Sequence, residues 1–209
     1  MERNVQVKNR IKSFLHFQGV EIPEHSEITH WSGAFIAWLG NLSFEHPYDR
    51  AIMDEHLDEL RYQRERLKRI LKEIRLLRKQ YTMIQLLDTV SGIGCVTSFC
   101  LYAELIDISR FRNFDALASF VGLIPSTRST SDTELSNSLT KRHARYLRNL
   151  LIEAAWRAVR QDPALTFCFQ KLCRRMAKQD AIIRIAKKLL NRIRYVWINQ
   201  QPYCIGVVE

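Results

Sequence analysis

The chain has 209 residues, 46% apolar and 26% charged, enough to bury a core in one substantial domain or two small ones. Its 32 Lys and Arg against 22 Asp and Glu give a formal charge of +10, which favours polyanionic partners. No run of about eighteen apolar residues occurs, which excludes a membrane-spanning helix, and Met1-Glu2-Arg3-Asn4 opens an amphipathic pattern instead of a signal peptide. A cytoplasmic protein is the expectation.

Seven glycines and five prolines in this length predict long helices with few tight turns. Val7, Ile11, Phe14 and Leu15 repeat at helical spacing within Val5–Phe17. A loop around Pro23 and a short apolar helix from Ser32 to Leu42 follow. From Tyr48 the residues Met53, Leu57, Leu60, Arg64, Leu67, Leu71, Ile74, Arg78 and Tyr81 alternate at four and three, a heptad seam interrupted by two arginines. The seam fits a coiled coil, as a hairpin with the first helix or as a dimer contact, and it also fits a long helix of a bundle. Residues 1–84 therefore read as linker helices and coiled coil, for dimerisation, and residues 85–209 as a compact helical domain.

That second part opens with Leu86, Leu87 and Val90 running into Ser91-Gly92-Ile93-Gly94, after which Val96, Phe99, Cys100, Ala103 and Leu105 resume helical spacing. Helix, Gly-hydrophobe-Gly, helix is a helix-hairpin-helix-like element. Its backbone amides at Gly92, Ile93 and Gly94 are placed to meet a phosphate, reading the backbone and not the bases. A short helix over Ala116–Val121 follows, and three further helices carry a basic face. The first has Leu147, Leu150, Leu151, Ala154 and Ala158 inward; the second starts at Asp162-Pro163, an N-cap with proline at the first helical position. The third turns Ile182, Ile185, Ala186, Leu189, Ile193 and Val196 to one side and Arg184, Lys187, Lys188, Arg192 and Arg194 to others. No convincing strand pattern is present, so the predicted class is all-α. From Lys141 to Val196 there are 15 Lys and Arg against three acids, a local surplus larger than the net +10 of the whole chain. Such a localised surplus points to a nucleic acid backbone, with a membrane-surface helix as the competitor.

The five cysteines form no CxxC pair and the six histidines no HExxH, so no metal site follows from spacing, and reduced core thiols are expected. Between Gly122 and Leu151 the chain reads GLIPSTRSTSDTELSNSLTKRHARYLRNLL. A hydroxyl-rich loop ahead of a cation cluster is either a solvated surface loop or a place where phosphate is bound or attacked by an alcohol.

Three segments in this order resemble one family, the bacterial insertion-sequence transposases of the IS-one-ten group. LLDTVSGIGCVTSFCLYAELID resembles the opening of that family's C-terminal domain. FDALASFVGLIP is similar to its "layaGLvP", and LTKRHARYLRNLLIEAAWRAV to its "itkrGnr.LR..LieaA". VKNRIKSFL looks like the linker helix ahead of the family's coiled coil. The resemblance implies a DNA-cutting and rejoining enzyme in which a RuvC-like domain holds Mg²⁺ on four acids and the C-terminal domain supplies a serine that attacks the phosphodiester. It implies DNA as partner, a guide RNA in some members, and homo-oligomers.

Carried onto this chain, the nucleophile falls at Ser129, Thr130 or Ser131, and Lys141, Arg142, Arg145 and Arg148 neutralise phosphates around it. Two departures stand out. No RuvC-like counterpart precedes the linker helix, so no cofactor is expected within this chain, and the family's Ser-Gly reads Thr130-Ser131. Its Gly-Asn likewise reads His143-Ala144, with His143 either solvated or a local proton shuttle. The expectation is a C-terminal portion that binds DNA and does not cut it alone. A non-catalytic nucleic-acid-binding or regulatory module is the alternative, and a metal nuclease built on Asp88, Glu104, Asp107 and Asp115 a third.

Overall fold

The computed structural model describes residues 2–124, 126–130, 133–137 and 145–205. The architecture is all-α. Nine α-helices lie among the described residues, together with one 3₁₀ turn at Ile108–Arg110 and a two-stranded ribbon. The chain divides into two compact units at Glu73/Ile74, inside a single long helix, where the sequence pattern placed a boundary after residue 84.

In the first unit, α1 (Glu2–Phe17) and α2 (Gly33–Asn41) pack with the start of α3 (Pro47–Gln80). Val7, Ile11 and Leu15 of α1 repeat every fourth residue and are fully buried, as are Phe35, Leu39, Met53, Leu57 and Leu60. Phe14, predicted inward, is half-buried with its ring 5.6 Å from that of Phe44. Ser32 caps α2 by accepting the Phe35 amide at 3.2 Å. At the other end of α2, Arg50 Nη1 lies 3.1–3.2 Å from the carbonyls of Leu39, Gly40 and Leu42. A cation there satisfies carbonyls that have no partner within the helix.

The first three seam positions of α3 are thus spent inside their own unit. Arg64, the next seam position, donates to the Trp31 carbonyl at 2.6 Å, and Arg78 pairs with Asp88. The two arginines that interrupt the heptads are therefore fixed by partners within the chain.

The second unit is built around α9 (Lys178–Asn199), which buries Ala181, Ile182, Ile185, Ala186, Leu189, Leu190, Ile193, Val196 and Trp197. α4 (Thr82–Asp88), α5 (Cys95–Leu105), α6 (Phe114–Val121), α7 (Arg145–Gln161) and α8 (Pro163–Cys173) share one core with it. Asn113 caps α6 through the Ala116 amide at 2.9 Å. Gly122 ends that helix at φ +78, with Leu123 N–H donating to the Ala118 carbonyl at 2.8 Å. The left-handed turn is why glycine opens the GLIP run. Beyond it, β1 (Ser126–Thr130) pairs antiparallel with β2 (Thr133–Asn137), Ser129 opposite Glu134 and Thr130 opposite Thr133. Sequence pattern gave a loop here; the β-branched Thr127, Thr130 and Thr133 are compatible with an extended backbone.

All five cysteines are free; four are half-buried and Cys204 is exposed, so none is a fully buried core thiol. No helix among the described residues is long and apolar enough to cross a membrane.

Leu189 is fully buried at the centre of α9. Truncation to alanine is expected to cost about 2–5 kcal/mol in denaturant unfolding, against less than about 0.5 kcal/mol for alanine at exposed Lys188.

Candidate nucleic-acid interface

The α4–α5 turn is positioned by α7. Gly92 has φ +82, and a Cβ there would stand 2.3 Å from the Ala154 carbonyl oxygen and 2.7 Å from the Ala158 nitrogen. Two alanines one turn apart on α7 leave room for the backbone of the turn, and only glycine fits against them. The Gly92 amide donates to Gln161 Oε1 at 2.8 Å and the Ile93 amide to the Val90 carbonyl at 2.9 Å. Both amides that the sequence pattern assigned to phosphate are therefore engaged inside the chain. Gly94 differs: a Cβ there meets nothing within 4 Å, and it opens α5 without a side-chain cap. Of the three residues, Gly94 alone presents backbone outward.

Close by, Asp88 is tied to Arg78 and accepts the Ser98 hydroxyl at 2.5 Å, which joins the end of α3 to α4 and α5. Burial, and then the Asp88 charge, push the Cys95 thiol up, so it stays protonated at neutral pH. Asp107 caps the 3₁₀ turn through the Ser109 amide at 2.8 Å, and Asp115 lies 3.4 Å from Lys187. Three of the four acids weighed as a nuclease centre are thus paired structurally, and no group of three His, Cys, Asp or Glu among the described residues could hold a metal. The described residues do not fit the Mg²⁺ that the resemblance implies.

The basic helices divide their cations between two uses. Arg145, Arg157 and Arg160 on α7, and Arg184 and Lys188 on α9, are exposed and make no ion pair among the described residues. Arg148 is half-buried. Arg192, off the apolar stripe as the spacing places it, is half-buried and pairs with Asp162, which is fully buried. Asp162 also caps α8 through the Leu165 amide at 3.1 Å and accepts the Tyr203 hydroxyl at 2.6 Å. Burial alone pushes the Asp162 carboxyl up, but Tyr203, the Leu165 amide and Arg192 outweigh it and hold it below the ordinary carboxylate value. The Tyr203 phenol is pushed up to about 12 by burial and by its bond to Asp162. Sequence reading found the cap but not this cluster, because nothing local links residues 162, 192 and 203.

Of Ser129 and Thr130 only the backbone is described, within β1; Ser131, Lys141, Arg142 and His143 lie outside the described residues. Tyr146, at the entry of α7, has its hydroxyl 3.2 Å from Cys100 Sγ, and that contact, with burial, pushes the phenol up to about 12. It is therefore a poor nucleophile at neutral pH.

The second unit thus presents one open glycine turn and exposed cations that make no ion pair among the described residues. The family described as Transposase IS116/IS110/IS902 matches residues 84–167, from α4 into α8. The chain is 27% identical over 139 residues to the "Transposase for insertion sequence element IS1111A" of Coxiella burnetii, covering 65% of this chain and 38% of that protein. It is 29% identical over 150 residues to the "Probable family 20 transposase" of Pseudomonas aeruginosa, covering 70% and 44%. The family match is confined to residues 84–167, and the chain spans less than half the length of these curated relatives.

Two outcomes are expected from this geometry. Gly92→Ala combines a disfavoured φ with a backbone clash and should lose about 2–4 kcal/mol in chemical denaturation, with Gly94→Ala losing less than about 1 kcal/mol. Because the folded Asp162 pKa is depressed, its contribution is complete above the ordinary carboxylate value and is lost as pH falls through the folded one. Asp162→Asn should therefore be less stable than wild type at neutral pH, and the gap should narrow in thermal melts taken below about pH 4.

Proposed function

We propose that this chain acts in DNA transposition, with its second unit as the DNA-binding part of an insertion-sequence transposase. The observation that carries the reading is the coincidence of the family match over residues 84–167 with exposed Arg145, Arg157 and Arg160, which make no ion pair among the described residues, on the helix that supports the glycine turn. Cations on one rigid helix neutralise successive phosphates, and the Gly94 backbone adds an uncharged contact beside them. Lys141, Arg142 and Arg148 extend the same phosphate-neutralising set.

In this reading a hydroxyl of Ser129, Thr130 or Ser131 attacks a DNA phosphorus. A phosphoester to the protein forms, the strand's own P–O bond breaks, and the departing oxygen takes a proton. Mg²⁺, if supplied by other residues, would stabilise charge on the phosphate oxygens. Homo-oligomers form through the later heptads of α3, beside which Ile70 is 44% exposed. A guide RNA is a further partner.

Arg145→Glu with Arg148→Glu should lower the slope of log binding constant against log salt for duplex DNA by roughly two, as expected for two lost phosphate contacts. A slope that stays unchanged removes these residues from the interface. For the chemistry, labelled DNA incubated with the protein and Mg²⁺ is run on a denaturing gel. A covalent adduct abolished by alanine at one of the three hydroxyl positions identifies the nucleophile. Salt-sensitive binding without any adduct supports the alternative, a non-catalytic nucleic-acid-binding or regulatory module.

A further inference from the structure

The corner where α7 turns into α8 forms a groove of about 410 Å³, lined by Arg160, Gln161, Pro163, Thr166, Phe167 and Gln170. That volume lies in the usual range of ligand sites, but the groove is open along its length, which suits a passing strand better than an enclosed small molecule. Its apolar surface is Phe167, 57% exposed, beside Pro163 one turn earlier on α8. The neighbours of Phe167 explain why it faces outward. Leu165 is buried at 1%, and Phe169 packs edge-on against Trp156 at 5.6 Å, so α8 has its inner face filled and cannot rotate Phe167 inward.

The rim is polar and held in place. Gln161 Oε1 accepts the Gly92 amide, so its side-chain amide has a fixed orientation, and its NH₂ makes no hydrogen bond among the described residues. Thr166 donates its hydroxyl to the Val159 carbonyl, which locks the corner across the helix break. Asp162 already occupies the Leu165 amide at the start of α8, so the groove offers no anion cradle of helix amides. What it offers is one flat aromatic face, amide groups at its edge and an exposed guanidinium at its mouth, with Lys171 one turn beyond.

We propose that this groove holds a single unpaired nucleobase of a DNA or RNA strand. The base stacks on Phe167, its hydrogen-bonding edge meets the amides of Gln161 and Gln170, and its phosphate lies at Arg160. Aromatic faces flanked by cations are the means by which proteins hold single strands, since every base has a π-face to stack. Charge complementarity favours this occupant over an apolar peptide, because Arg160 makes no ion pair among the described residues and the surrounding helices carry a large positive surplus. Gln161 also ties the groove to the glycine turn through the Gly92 amide. The inference rests on the nucleic-acid reading above and adds a site that prefers unpaired over paired strands.

The test is fluorescence anisotropy of the intact chain with three probes of equal length: a single-stranded DNA, the same strand as duplex, and the same strand carrying abasic sites, with an RNA strand to separate DNA from RNA. Phe167 is exposed, so Phe167→Ala should melt like wild type, and Phe167→Tyr keeps the aromatic face. Phe167→Ala should weaken single-strand binding about tenfold while changing duplex binding less than about twofold, and Phe167→Tyr should restore it. Wild type should also bind the abasic strand about as weakly as Phe167→Ala binds the intact one. Equal binding of intact and abasic strands, or equal loss on single strand and duplex, overturns the groove while leaving the DNA-binding reading intact. Failure of wild type to bind any of the probes overturns both.

Discussion

A carboxylate with no access to water holds the second unit together. Asp162 has both oxygens occupied: one accepts the amide that starts α8, the other the Tyr203 hydroxyl and the Arg192 guanidinium. Three pieces of chain meet on this one side chain: the α7–α8 corner, the central helix α9 and the segment that follows it. Arg192 in turn lies 5.2 Å from the Tyr203 ring centroid, so the cation is held by charge on one side and by a π-face on the other. A buried charge is tolerable only when all of its lone pairs are matched, and here the matching comes from residues 3, 30 and 41 positions away. The next residue back, Gln161, reaches the other way to Gly92, so the same corner fixes the α4–α5 turn.

The division of labour among the cations follows from that constraint. A sequence with 15 basic residues between Lys141 and Val196 suggests an unbroken positive surface. In the fold, Arg192 is structural and Lys187 sits beside Asp115 and 5.6 Å from the Phe114 ring, while Arg145, Arg157, Arg160, Arg184 and Lys188 remain for solvent or a ligand. The usable charge is therefore smaller than the count, and it is carried on helices whose inner faces are already filled. Side chains on such helices keep their spacing, which is what register along a polyphosphate requires.

Much of the helical framework was legible because a helix buries a periodic stripe. Each of Ile182, Ile185, Ala186, Leu189, Ile193 and Val196 is buried as the spacing predicts, and the Asp162-Pro163 start of α8 is where the cap chemistry puts it. Ala181, Leu190 and Trp197 were missed since α9 is packed on several sides and its buried arc is wider than one stripe. In α3 the heptads read as a coiled coil, yet Met53, Leu57 and Leu60 serve an internal core with α1 and α2, and the same spacing suits either use. The glycine turn was found in the right place for a different reason: Gly92 is glycine because of the Ala154 and Ala158 backbone, a contact 62 residues or more along the chain that no local pattern encodes. Long-range pairs such as Arg192 with Asp162 and Gln161 with Gly92 were invisible for the same reason, although they decide which polar groups remain available to a ligand.

The fit of Gly92 against α7 carries a mechanical implication. With no space even for a methyl group between them, the α4–α5 turn and the Ala154–Ala158 stretch cannot slide or tilt independently. The ordering entropy of that surface is spent when the chain folds, not when a ligand arrives. Backbone at Gly94 and the α7 backbone that carries the arginines thus form one rigid template whose spacing is set when the chain folds. A strand of the wrong pitch or groove width would have to deform itself to follow that template, so discrimination here would come from the stiffness of the nucleic acid more than from adaptation of the protein.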